Sequence, residues 1–161
     1  MKYSKWILQA RRDLEAATTL AASGFHEWAC FISLQAAEKA EKAYFVALGM
    51  EPPLRRGKEG HDLVSLSSGW PDSVKVAEPA PKLAEAQARL NQHAENTRYP
   101  HAKSDSAEFI APSEGYHRND SQQAIDDARA VVEVCEKLAD EGQRFASKLG
   151  EVLRGEVLLK S

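Results

Sequence analysis

The sequence predicts an all-α protein, an antiparallel, up-and-down bundle of four main helices plus a short extra one. Three observations carry this. Apolar residues recur at helical spacing over several long segments. Glycine and proline punctuate the chain between those segments. No stretch alternates in the manner of a half-buried strand. A length of 161 residues fits one domain by the usual prior of about 100–200 residues, so residues 1–161 are taken as one domain. The tail over 151–161 reads as an extra or frayed helix.

The first helix is expected over about Ser4 to Ala22. Its stripe is Trp6, Ala10, Leu14, Ala17 and Ala21, in steps of three and four. Gly24 suits the left-handed position that ends a helix. The second helix is expected over about His26 to Leu48. Cys30, Leu34, Ala37, Tyr44 and Leu48 form one apolar side, and Trp28, Phe31 and Val46 another. A helix apolar on two sides sits centrally in a bundle. Gly49 closes it, and Pro52-Pro53 prevents restarting.

A charged connection follows over 51–60. A short helix is expected at His61–Ser67, then a turn at Gly69-Trp70-Pro71-Asp72. Residues 73–77 are ambiguous. The third long helix is placed over about Pro81 to Asn96, with Pro81 in its first turn. Thr97 to Arg118 reads as a loop with little regular structure, of the length that is often functional. The last long helix begins near Asp120, with Asp120 and Gln123 as an acidic capping box. Ala124, Ile125, Ala128, Val131, Val132, Cys135, Leu138 and Ala139 give it its periodicity. It either continues through Phe145 and Leu149 or breaks near Gly142.

Composition limits the function. The net charge of −3 supplies no global basic field for nucleic acid, which leaves only a local patch. Cys30 and Cys135 sit inside apolar helical patterns and read as buried free thiols of a reducing compartment. The N-terminus has no signal-peptide core. No apolar run approaches the roughly 18 residues needed to span a membrane. The expected location is the cytoplasm, without membrane association. Walker, Rossmann, GxSxG and HExxH motifs are missing, so the enzymes built on those frames are not expected. His26, His61, His93, His101 and His117 match no metal spacing. No metal or cofactor is expected.

Two features are candidates for chemistry. In LQAAEKAEKA (34–43), Gln35, Glu38 and Lys42 fall in one sector of the second helix. Glu38 and Lys42 also form a favourable i,i+4 pair. The stripe is either a solvated edge or a polar face towards a cleft. Glu41 points into the apolar side, where it either snorkels to an edge or pairs at a dimer interface. The second feature is Arg98-Tyr99-Pro100-His101. The proline pushes Tyr99 out of the helical region. That places Arg98 at a bundle end, able to meet a carboxylate or phosphate bidentately, and Tyr99 offers a stacking surface. Arg98 either ties the loop to Asp13 or Glu38, or stands ready for a ligand. His101 is the histidine nearest Arg98.

In this order the residues resemble the HEPN family (higher eukaryotes and prokaryotes nucleotide-binding). The pieces are W-x3-A-x2-D-L-x2-A from Trp6, G-F-H-E-W-A-C-F at 24–31 and the helix-two motif. His61-Asp62-Leu63 with Leu66, T-R-Y-P at 97–100 and the final amphipathic helix complete the set. The resemblance spans nearly the whole chain. It implies the four-helix bundle and a homodimer. It also implies a minimal nucleotidyltransferase partner, with the pair able to act as a toxin–antitoxin system. Many members are metal-independent RNases with an R-x4-6-H motif, and others bind nucleotides or RNA without cutting. Here Arg98 and His101 give R-x2-H, and Arg89 with His93 gives R-x3-H, both short of that spacing. Glu41 stands where the helix-two motif has an apolar residue. The reading is therefore nucleotide or RNA binding through Gln35, Glu38, Lys42, Arg98 and Tyr99. RNase chemistry at Arg98 and His101 is the alternative, and a structural partner protein without ligand is a third.

Overall fold

The computed structural model describes residues 2–52, 62–70, 80–102 and 108–153. Helices α1 (Lys2–Ala22) and α2 (His26–Ala47) form a hairpin. A short α3 (Leu63–Ser68) follows, then α4 (Ala80–Asn91) and a single turn, α5 (His93–Asn96). Strands β1 (His101–Ala102) and β2 (Phe109–Ile110), a turn of helix α6 (Pro112–Gly115) and the long α7 (Arg118–Leu153) complete the order.

Successive long helices run antiparallel. Tyr3 Oη donates to Asp140 at 2.8 Å, and Arg11 pairs with Glu136, so α1 descends as α7 ascends. His26 meets Ser121 at the start of α7, while Leu48 and Tyr44 close on Gly142 near its end. Helices α2 and α7 are therefore parallel diagonals that pack directly on each other. Alanine makes this possible: Ala29, Ala36, Ala37, Ala40, Ala43 and Ala47 are all buried on α2. Small side chains bring helix axes close, and the larger Leu34, Leu90 and Val131 fill the spaces between.

The expected elements hold with adjustments that have local causes. The buried stripe of α1 is Tyr3, Ile7, Ala10 and Ala17, with Trp6 and Leu14 packed at its edge. The third long helix stops at Asn91 instead of running to Asn96. The amide of Gln92 bonds to Arg89 O at 3.3 Å, a tightened i→i−3 contact that ends α4 and reorients the next turn. The last helix begins at Arg118, so Asp120 is the third residue of its first turn and not the cap. Its Oδ2 reaches back to accept from the His117 amide at 2.7 Å, the role that the third residue plays in a capping box. The stretch read as loop holds a small antiparallel pair, His101 opposite Ile110 and Ala102 opposite Phe109. Two-residue strands are too short to show a period.

Helix α7 continues through Gly142. A Cβ there would lie 3.1 Å from Leu48 Cδ2, so the glycine lets α2 approach at a tolerable helix cost. Its 36 residues span roughly 54 Å, further than α2 reaches. Phe145 and Leu149 on this overhang are 67% and 47% exposed. Cys30 and Cys135 are free and buried. Burial pushes the Cys30 thiol up to about 12, so neither packing nor protonation favours a reactive thiolate. No helix among the described residues is long and apolar enough to cross a membrane. The ambiguous segment 73–77, His61, Pro71-Asp72 and the tail beyond Leu153 lie outside the described residues.

Helix α3 begins at Leu63, with Asp62 as its cap. Asp62 Oδ1 accepts from the Ser65 amide at 2.7 Å, and its Oδ2 accepts from Asn91 Nδ2 at 3.1 Å. Asn91 Oδ1 in turn accepts from the Leu63 amide at 2.9 Å. Asp62→Ala removes this cap and is expected to cost about 1 kcal/mol. Asp62→Asn, which retains the capping oxygen, should cost only a fraction of that. Urea midpoints of the two variants check this, and equal losses would mean that the cap does not hold α3.

Candidate functional site

Where α4 breaks, a cleft of about 670 Å³ opens between α2, α3 and the α4–α5 junction. Its lining includes Phe31 and Gln35 from α2, Asp62 before α3, and Asn91, Ala94 and Arg98. The broken helix is what aims Arg98. Its amide bonds to Glu95 O at 3.0 Å, and its side-chain Nε donates to Ala94 O at 2.7 Å. The guanidinium carbon lies 5.1 Å from the Phe31 ring centroid and 5.3 Å from that of Tyr99, within cation–π range of both. Among the described residues Arg98 has no ion pair. A guanidinium held at Nε and by two rings presents its remaining N–H groups in a fixed fork.

The tie expected from Arg98 to Asp13 or Glu38 is not formed. Asp13 is engaged by Lys39 at 2.8 Å and by Gln9 at 2.7 Å. Glu38 is engaged by Lys42 at 2.5 Å. Both acids lie further along the α1–α2 seam than Phe31, which is where Arg98 meets α2.

The polar stripe of α2 is divided. Gln35 lines the cleft and donates to Glu38 Oε2 at 3.4 Å. Glu38 and Lys42 are 6% and 4% exposed, an ion pair sealed behind the cleft and outside its lining. Glu41 neither snorkels nor reaches an outer surface. It is wholly buried and accepts from Gln87 Nε2 at 2.7 Å, and Gln87 also meets Ser67 of α3 at 3.4 Å. Burial raises the Glu41 carboxyl well above its ordinary value, which favours its protonated form. Through Gln87, this buried acid joins α2 to α4 and α3.

Tyr99 is 59% exposed beside Arg98. His101 sits on β1 with Nδ1 3.3 Å from the Tyr99 carbonyl oxygen and does not line the cleft. The other Arg/His spacing is occupied by structural contacts. Arg89 makes two 2.8 Å bonds to Asp127. His93 Nδ1 lies 3.2 Å from Tyr116 Oη. Burial lowers the His93 pKa and pushes the Tyr116 hydroxyl up to about 12, so both are neutral packing groups. Among the described residues no cluster of three or more His, Cys, Asp or Glu side chains could hold a metal ion. Phe31, Asp62 and Asn91 complete the cleft without having been singled out for it. Asp62 before Leu63 carries a cap signal, whereas Asn91 carries none.

The chain that carries α2, the Asp62 cap and Arg98 matches one family. Its model, the HEPN domain, matches residues 3–138. The chain belongs to the HEPN family. Solved structures agree. A protein from Thermus thermophilus is 29% identical, with a TM-score of 0.71, covering 85% of this chain and 98% of its own. An archaeal HEPN homologue is 28% identical, with a TM-score of 0.62, covering 85% and 97%. A HEPN domain protein from Thermotoga maritima is 27% identical, with a TM-score of 0.57, covering 84% and 98%. No curated protein matches the chain. The HEPN match ends at residue 138, so the α7 overhang that carries Phe145 and Leu149 lies beyond it.

Proposed function

We propose that this HEPN chain is one binding domain that takes a phosphate of a nucleotide or RNA at Arg98. The single supporting observation is Arg98 itself. Its guanidinium stands at a 670 Å³ cleft with no ion pair among the described residues, held by Ala94 O and two aromatic rings. An arginine fixed in this way has already lost much of its rotamer freedom, so less is lost on binding an anion. Gln35 and Asn91 line the cleft and the Tyr99 ring is exposed beside Arg98; in this reading they meet a base or sugar. Glu38 and Lys42, paired with each other and outside the lining, do not touch the ligand in this reading. By family resemblance the domain is a cytoplasmic homodimer that acts with a minimal nucleotidyltransferase.

Calorimetric titration with ATP, GTP and a short RNA tests the reading. Charged hydrogen bonds of about 1.5–3 kcal/mol correspond to a loss of roughly 10- to 150-fold in affinity for Arg98→Ala. Lysine at 98 should recover only part, because it lacks the fork. Unchanged affinity in Arg98→Ala would remove the site from binding. The same RNA also reports on the RNase toxin alternative. Cleavage that disappears in both Arg98→Ala and His101→Ala would move the function to catalysis. A complex with the nucleotidyltransferase and no ligand response would leave the structural-partner reading.

A further inference from the structure

We propose that the site takes single-stranded nucleic acid across more than one nucleotide, with the exposed ring of Trp28 receiving a second base; this rests on Arg98 as the phosphate anchor. The observation is a chain of π contacts that leads from Arg98 and Phe31 in the cleft lining to Tyr99 and Trp28 outside it. Tyr99 lies 5.3 Å from the Arg98 guanidinium carbon, and Phe31 lies 5.1 Å from it. Trp28 follows, with its ring centroid 6.3 Å from that of Phe31 and its plane turned by 81°. The two rings are perpendicular and not stacked, so Phe31 does not cover the Trp28 ring face to face. Trp28 is 45% exposed and Tyr99 59%.

Isolated exposed aromatics need no explanation, but contiguous ones beside a cleft mark a binding surface. Trp28 sits on α2 among small neighbours, Ala29 and Cys30, that serve the core. Its own ring stays 45% exposed beside Phe31. A mononucleotide needs one anion contact and one stacking surface, and Arg98 with Tyr99 supplies both. The chain of contacts offers a further surface on the far side of Phe31. Bases of a single strand present free faces, whereas those of a duplex are stacked on each other. Stacking platforms of this kind are tolerant of sequence. A chain of net charge −3 has little counterion-release contribution to draw on, so stacking carries the affinity. The salt slope should then match one neutralised phosphate, about 0.7 in log–log units for a single strand.

The test compares AMP, a hexauridylate and a blunt RNA duplex against wild type, Trp28→Ala, Trp28→Phe and Arg98→Ala. The expected result is tighter binding of the hexamer than of AMP, with little for the duplex. Trp28→Ala should weaken the hexamer by roughly 5- to 150-fold, the loss of one stacked base, and leave AMP unchanged. Trp28→Phe should restore most of the loss, which a merely structural role would not require. Trp28 emission should be quenched by the hexamer, since Trp70 is buried and Trp6 half-buried. If AMP binds through Arg98 and the hexamer binds no tighter, this inference falls and the phosphate site stands. If Trp28→Ala weakens AMP and hexamer equally, or the duplex competes equally, the second subsite falls likewise. If Arg98→Ala changes neither ligand, the phosphate reading falls and this inference falls with it.

Discussion

Replacing Glu41 with glutamine should flatten a stability profile that otherwise declines as pH rises. Glu41 is wholly buried, and burial is the leading cause of its raised pKa. Glu38 and Asp62 add to the shift, while the Gln87 hydrogen bond and Lys42 oppose it. A carboxyl whose folded pKa lies above its unfolded value near 4.5 binds more protons when folded. Its contribution is therefore complete below the unfolded pKa and is lost as pH climbs towards the folded one. Within that window the slope approaches about 1.4 kcal/mol per pH unit. Glutamine keeps an oxygen for Gln87 Nε2 and cannot ionise. Glu41→Gln should match wild type at pH 4 to 5 and exceed it by a margin that grows as pH rises above that range. His93, whose pKa is lowered by burial, acts in the opposite sense below its ordinary 6.5 and is common to both proteins. The difference between their urea-derived stabilities isolates Glu41. Parallel profiles would mean that the acid is ionised in the fold.

Lys42→Met should destabilise the protein by about 3 kcal/mol and leave nucleotide affinity unchanged. The methionine keeps most of the side-chain volume but strands the Glu38 carboxylate, and breaking a buried pair costs about 3–5 kcal/mol. Contacts from Gln35 and elsewhere to Glu38 argue for the lower end. Removing both charges in Glu38→Leu/Lys42→Met should return stability towards wild type, because neither charge is then buried alone. Denaturant titration of the two variants reads this, with calorimetry on folded Lys42→Met for affinity. A loss of affinity in Lys42→Met without a loss of stability would restore Lys42 as a phosphate ligand.

Much of the bundle was legible in the chain. Apolar spacing located α1, α2 and α7, because burial of one face imposes a period of 3.6 on any long helix. The break at Gln92 was not legible. It turns on one tightened hydrogen bond and on the His93 ring packing against Tyr116, residues remote in sequence. The cap of α7 was misplaced by three residues because Asp120 can act as cap or as third residue, and only the His117 amide distinguishes the two.

The candidate site divides along the same line. Arg98-Tyr99-Pro100 could be singled out because proline restricts the residue before it and arginine is the usual fork for anions. The roles of Glu38, Lys42 and Glu41 depended on what other helices place opposite them. One helical turn separates Gln35 in the cleft from Glu38 behind it, and no periodicity distinguishes a polar residue facing a cavity from one sealed in an ion pair. Phe31 and Asn91 belonged to the site only once α4 crossed α2. The sequence by itself determined the helices, their order and the HEPN likeness, since these follow from local spacing and motif succession. Tertiary structure decided which polar groups meet a ligand, because that depends on desolvation and on partners contributed from distant segments.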